Sequence, residues 1–169
     1  VGNEAAQVLM PSPDQRAWMI QQIRHFRQTK PIFTIDFQND AEYVGGCIAG
    51  GRRYLHINAN GDVDPCVFIH YSNMNIREHT LLEALQSPLF KAYYHNQPFN
   101  ENMLRPCPML ENPEILPRLV RQSGAVSTDL QSPESAEHLC AKCQNYARLW
   151  QIRSQQIWQE LHPQADKEQ

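Results

Sequence analysis

With 169 residues, the chain can bury roughly two-thirds of its unfolded surface in one compact domain or one and a half. Its 41% hydrophobic and 20% charged residues place it among globular proteins. A formal net charge of −3 excludes a general nucleic-acid binder, which needs a basic excess, and no apolar run of roughly 18 residues exists to span a membrane. Five cysteines, an odd number, suit metal ligands in a reduced cytoplasmic compartment better than a secreted disulfide framework. The opening Val1-Gly2-Asn3-Glu4 has neither an initiator methionine nor an apolar leader and reads as the cut end of a longer protein.

Residues 1–10 give no clear element. Ser12-Pro13-Asp14-Gln15 supplies an N-cap, a proline at the first helical position and a capping-box glutamine. The helix they start is expected to run to about Gln28, with Met19, Ile20, Ile23 and Phe26 on its buried side. After Pro31, the β-branched and aromatic run Ile32-Phe33-Thr34-Ile35-Asp36-Phe37 has strand character. Asp36, Asn39 and Asp40 then serve either a site at the strand's end or a capped turn.

Residues 45–66 hold five of the seven glycines and two of the five cysteines. Glycines allow tight turns and close approach of backbone amides to an anionic group. Polar and apolar residues alternate over Arg52-Arg53-Tyr54-Leu55-His56-Ile57-Asn58 and again over Asp62-Val63-Asp64. Between them Asn60-Gly61 predicts a hairpin with a type I′ turn, which would bring Cys47 and Cys66 together near its open end.

Beyond Cys66 the strand is expected to continue as Val67-Phe68-Ile69-His70. Thr80 starts a short helix to Gln86 with Leu81, Leu82 and Leu85 on its apolar face, and Ser87-Pro88 restarts a helix bearing Leu89, Phe90, Tyr93 and Tyr94. Residues 96–102 read as loop, and prolines flank Cys107. Pro113 and Pro117 cannot share a helix interior, so a short helix is expected from about Pro117 to Gly124. Ser132-Pro133 opens a long last helix to about Leu161, with Leu139, Cys143, Tyr146, Trp150, Ile157 and Leu161 at helical spacing. The polar tail from Pro163 is expected to fray.

Cys47, thirteen residues, Gly61, four residues, Cys66 resembles the first half of the cysteine pattern of SPASM and twitch domains, the auxiliary iron-sulfur domains of radical SAM enzymes. The flanking Asp36-Phe37-Gln38-Asn39-Asp40, Gly46-Cys47-Ile48-Ala49-Gly50-Gly51-Arg52 and Asp64-Pro65-Cys66 extend the likeness, which covers about residues 30–150. It implies an α+β fold. Residues 1–40 would be the last helix and strand of a partial α/β barrel. Residues 41–150 would form a β-hairpin cluster-binding domain packed by C-terminal helices, and 151–169 the end of the last helix and the tail. The implied cofactor is an auxiliary [4Fe-4S] cluster held by Cys47, Cys66, Cys107 and either Cys143 or Cys140, which lie three apart on the predicted final helix. The later run of closely spaced cysteines that supports a second auxiliary cluster in the family is missing, so one cluster is the maximum, with an open iron in place of a fourth thiol if only three reach it.

The implied role is electron transfer or substrate anchoring, with a peptide or small-molecule substrate and the preceding radical SAM barrel of the same protein as partners, and with neither nucleic acid nor membrane. S-adenosylmethionine and a second [4Fe-4S] cluster are expected only in that barrel. The Cys-x3-Cys-x2-Cys motif that cleaves the cofactor does not occur here, so whether this segment counts as an enzyme is open. The alternative is a structural zinc knuckle, with His56 or His70 joining the thiols and no chemistry of its own. A redox dithiol of Cys140 and Cys143 is disfavoured by the strain of a disulfide within one helix. Arg52, Arg53 and Arg105 either balance an anionic centre or lie on a solvated face, which is the expectation for at least two of them.

Overall fold

The structure, a computed structural model, describes residues 9–163. The expectations for residues 1–8 and for the tail after Pro163 lie outside the described residues. Helix α1 (Pro13–Thr29) begins at the predicted capping box, with Ser12 and Gln15 bonding reciprocally. Its buried face is Arg16, Ala17 and Ile20; Met19 and Phe26, expected inside, are 37% and 44% exposed. The face turns this way because α1 packs on the last helix, α7 (Gln144–Leu161), through a small core of Ala17, Ile20, Leu104, Trp150 and Ile157.

The predicted strand at residues 32–37 does not form. The segment carries no ladder and enters a turn at Phe37, and Ile32, Phe33, Ile35 and Phe37 are all at least 60% exposed. Strand propensity is realised only where a neighbouring strand takes up the backbone groups, and among the described residues none does. The following turn is closed locally: Asp36 accepts amides of Gln38 and Asn39, and Asp40 pairs with Arg27. The capped-turn alternative therefore describes Asp36 and Asp40. Helix α2 (Ala41–Val44) leads into the glycine stretch.

The hairpin exists but is short. Strands β1 (His56–Ile57) and β2 (Val63–Asp64) pair antiparallel with His56 opposite Asp64 and Ile57 opposite Val63. The connection is not a two-residue type I′ turn, because Asn60 has no positive φ. Asn58 and Asp62 close a three-residue loop (Asn58 N to Asp62 O 3.1 Å, Gly61 N to Asn58 O 2.9 Å) in which Gly61, at φ 90°, occupies the left-handed position. The Asn58 side chain also accepts the amides of Asn60 and Asp62, an Asx closure that competes with the tighter turn.

The strand predicted after Cys66 is replaced by a turn from Cys66 to Ile69, with Val67 and Phe68 exposed. Pairing resumes only at β3 (Tyr71–Ser72), which meets β4 (Val126–Ser127) antiparallel. Helix α3 (Leu81–Leu85) has the expected Thr80 capping box, yet Ala84 is its buried residue and Leu81, Leu82 and Leu85 face outward. Helix α4 (Pro88–His95) buries Leu89, Phe90 and Tyr93 and leaves Tyr94 exposed. Helix α5 (Ile115–Ser123) starts two residues before Pro117, which sits in the first turn where no amide hydrogen is required, and ends at Gly124.

The long last helix is two. Helix α6 (Ala136–Ala141) is capped by Ser135, not Ser132, and the chain breaks at Lys142–Cys143 before α7. Leu161 is 38% exposed. The main core lies between the hairpin, α4, α5 and α6, with Ile69, Leu89, Tyr93, Leu116 and Leu119 at its centre and four of the five cysteines on its edge. Helices with small antiparallel sheets define an α+β fold, with no closed barrel among the described residues. No described helix is long and apolar enough to cross a membrane.

Candidate iron-sulfur site

A cavity of about 720 Å³ opens beside the hairpin, and Cys47, Cys66, Cys107 and Cys143 all line it. The rest of its wall is almost entirely apolar, with Phe37, Ile48, Phe68, Met109 and Leu139 prominent and Lys142 its one charged residue among those described. Four distant segments therefore bring thiols to one space. Cys140, 2% exposed, is not in the wall. The break between α6 and α7 separates the two candidates: Cys143 N bonds Cys140 O at 3.0 Å in a turn, so they do not share a helix face. None of the five cysteines is in a disulfide.

Three thiols share a local geometry. Cys47 is met by the amide of Ala49, Cys66 by those of Phe68 and Val67, and Cys107 by those of Met109 and Leu110, the last at 3.3 Å. In each case the amide two residues on points back at sulfur. Such donors favour a charged sulfur and tune a cluster's potential. This also explains the turn after Cys66: a continuing strand would have aimed those amides at a neighbour. Tyr54 adds its phenol to Cys66 while accepting the Val67 amide at 2.7 Å, and stacks on Phe37.

Despite these donors, the thiols titrate high. Burial pushes Cys47 up to about 11, and the nearby Cys66 adds to it. Burial likewise raises Cys66, and burial with the neighbouring Glu111 and Cys47 raises Cys107 far above the usual thiol range. Cys143 is raised by burial against the pull of Lys142, and Cys140 by burial to about 12. Protein charges alone do not hold these sulfurs as thiolates; a cationic metal centre in the cavity would.

The supporting residues were mostly not apparent from the sequence. Glu111, fully buried, accepts the Cys107 amide at 2.8 Å and lies 2.5 Å from Arg16 Nη2 as an ion pair, without hydrogen-bond alignment at that oxygen. Arg16 is itself fixed by Asn39 Oδ1, Gln38 O and Leu104 O and lies over the Trp150 ring at 4.0 Å. Nothing in the helical pattern of α1 marks Arg16 as buried. Gln97 accepts the Cys47 amide at 3.1 Å. Of Arg52, Arg53 and Arg105, at least two of which were expected on a solvated face, only Arg53 is exposed; Arg52 bonds the main-chain oxygens of Cys47 and Val44 and Arg105 that of Glu111. His70 is occupied by Val67 O and Asp129, and neither it nor His56 lines the cavity.

Among the described residues no three His, Cys, Asp or Glu side chains converge closely enough for a single metal ion. A lone zinc needs its thiols drawn to a point about 2.3 Å away. A multi-iron cluster fills the middle of its own site and needs them set back around a volume. An apolar cavity walled by four thiols, three of them met by backbone amides, offers the donor set that a sulfur-ligated inorganic cofactor would use. Residues 47–109 match the family model of SPASM, an iron-sulfur cluster-binding domain, so the resemblance resting on Cys47, Gly61 and Cys66 is shown over that stretch. Searches of curated proteins and of solved structures found no match.

Proposed function

We propose that this chain holds one auxiliary [4Fe-4S] cluster of a radical SAM enzyme, ligated by Cys47, Cys66, Cys107 and Cys143, with Cys140 a core residue behind the site. The observation that carries the reading is the meeting of those four thiols on a single apolar cavity. When bound, the cluster would supply one-electron transfer to or from a substrate, or an anchoring iron. The chain's own part is to hold four sulfurs, exclude water with the wall around Phe68, Met109 and Leu139, and direct amides at three of the sulfurs.

The same reading makes α1 and residues 32–37 the last unit of a partial barrel in the same protein. Supporting it, Ile32, Phe33, Ile35 and Phe37 are exposed on a segment of strand composition that lacks a strand beside it among the described residues. S-adenosylmethionine and its own cluster belong to that barrel, and the substrate is a peptide or small molecule. Five free thiols support a reducing, cytoplasmic setting.

Anaerobic reconstitution followed by metal analysis tests the centre. About four irons and four sulfides per chain support it, whereas about one zinc and no visible colour would establish the zinc module instead. Cys66→Ala is expected to abolish iron retention; full retention removes Cys66 from the ligand set.

A further inference from the structure

Five buried side-chain atoms have no hydrogen-bond partner among the described residues: Asp64 Oδ2, Tyr93 Oη, Gln97 Nε2, Arg105 Nε and Glu111 Oε1. Four belong to side chains whose other polar atoms are engaged, Asp64 by Thr128, Gln97 by Cys47, Arg105 by Glu111 O and Glu111 by the Cys107 amide. Tyr93 has a single polar atom, and it is the one left over.

The ring has no freedom to seek a partner elsewhere. Tyr93 is 0% exposed in the middle of α4, and Phe99 meets it edge-on at 5.3 Å and 88°. Gly50 presses on its base so closely that a Cβ there would lie 2.6 Å from Tyr93 Cβ. The other tyrosines of this core are satisfied: Tyr71 donates to Glu134 O at 3.0 Å, and Tyr54 accepts from Val67. Buried phenols normally find a partner.

Tyr93 lies in the core cluster that contains Cys140 and against which Cys47, Cys66, Cys107 and Cys143 pack. Burial raises its hydroxyl well above the ordinary phenol range, and after burial the groups that raise it further are Cys47, Cys107, Cys66 and Cys140, in that order.

We infer that the Tyr93 hydroxyl donates a hydrogen bond to a sulfur of the centre held in the thiol-lined cavity, and so sets how readily that centre is reduced; this rests on the cluster reading above. Tyr93 is a positioning residue, with no proton transferred and no bond to metal. Donation to sulfur stabilises the more negative, reduced state, so its removal lowers the reduction potential.

The test uses the full chain, reconstituted anaerobically with iron and sulfide and titrated against redox mediators with the reduced cluster followed by electron paramagnetic resonance. Tyr93→Phe keeps the ring against Phe99 and is expected to retain its iron. At fixed potential it should lower the reduced-to-oxidised ratio about tenfold, which is 59 mV for one electron. Tyr94→Phe, one residue on and 67% exposed, should leave the ratio unchanged. Should Tyr93→Phe fail to hold iron, 3-fluorotyrosine at position 93 strengthens the donor within nearly the same volume and should raise the potential. Full iron content with an unmoved potential in the variant that holds the cluster overturns the inference. A wild-type chain that takes up no iron overturns the cluster reading beneath it, and metal analysis alone reports that outcome.

Discussion

Two buried polar regions lie side by side in this molecule and are built on opposite principles. Around Arg16 the cation is surrounded by Glu111, Asn39 Oδ1, two main-chain carbonyls and the Trp150 ring, and Trp150 Nε1 in turn donates to Leu104 O at 2.9 Å. Around the cavity, four thiols meet a mostly apolar wall in which Lys142 is the charged residue among those described, and in the adjoining core the Tyr93 hydroxyl has no hydrogen-bond partner among the described residues. A buried charge that is paired and bonded is structure. Buried groups left unanswered cost stability unless something binds there, which is why the second region is the one proposed to take a ligand. Glu111 joins the two, bearing the Arg16 pair at one oxygen and the Cys107 amide at the other.

The contrast breaks hardest at the Arg16 end. Arg16→Met strands Glu111 in the core, and chemical denaturation should show a loss of about 3–5 kcal/mol. Adding Glu111→Gln should recover most of it, since the uncompensated charge and not the missing side chain is the cost. If the single variant unfolds like wild type, the paired region is not what holds α1 to the rest.

Gly50→Ala attacks the cavity side. With φ at +67° and Tyr93 Cβ 2.6 Å away, the added methyl brings left-handed strain and overlap together, and the thermal transition should reflect roughly 2–4 kcal/mol of destabilisation. Holding the melting temperature would mean Tyr93 is not packed as described.

Cysteines 140 and 143 sharpen the comparison by splitting it. Cys143→Ala should lower iron per chain with little change in the stability of the metal-free protein. Cys140→Ala should keep the iron and lose roughly 1 kcal/mol of core packing. The reverse pattern would exchange their roles.

The smallest effect is a pH dependence outside both regions. Asp129 is held below the usual carboxylate range by the amides of Ser132 and Gln131, with His70 helping. Because its folded value is depressed, the stability it contributes is present above the unfolded value, about 3.9, and is lost as pH falls through the folded one. Asp129→Ala should cost roughly 0.5 kcal/mol at neutral pH, and the gap to wild type should close in strong acid. A gap constant down to the acid transition would count against the ion-dipole account.

Local signals in the sequence were strong where one residue answers its near neighbours. The Ser12 and Thr80 capping boxes, the proline that opens α4, the stop at Gly124 and the hairpin around Gly61 were all readable because each partner lies within a few residues. Failures came where a partner from far along the chain decides. Strand propensity at residues 32–37 met no neighbour among the described residues, the leucines of α3 face outward, and Val67-Phe68 turned where the Tyr54 hydroxyl takes the Val67 amide and the Cys66 thiol that of Phe68. Likewise the last helix broke at residues 142–143, separating Cys140 from Cys143.

By itself the sequence determined which side chains could act as soft ligands and the Cys47–Gly61–Cys66 spacing that matches the SPASM iron-sulfur family model. Only the tertiary structure decided which thiols face the same space, that Arg16 and Glu111 are buried together, and that the Tyr93 hydroxyl has no hydrogen-bond partner among the described residues. Spacing constrains what a backbone can do over a handful of residues, while convergence of positions 47, 66, 107 and 143 depends on how helices and hairpin pack, and packing is a sum over contacts that no short stretch contains.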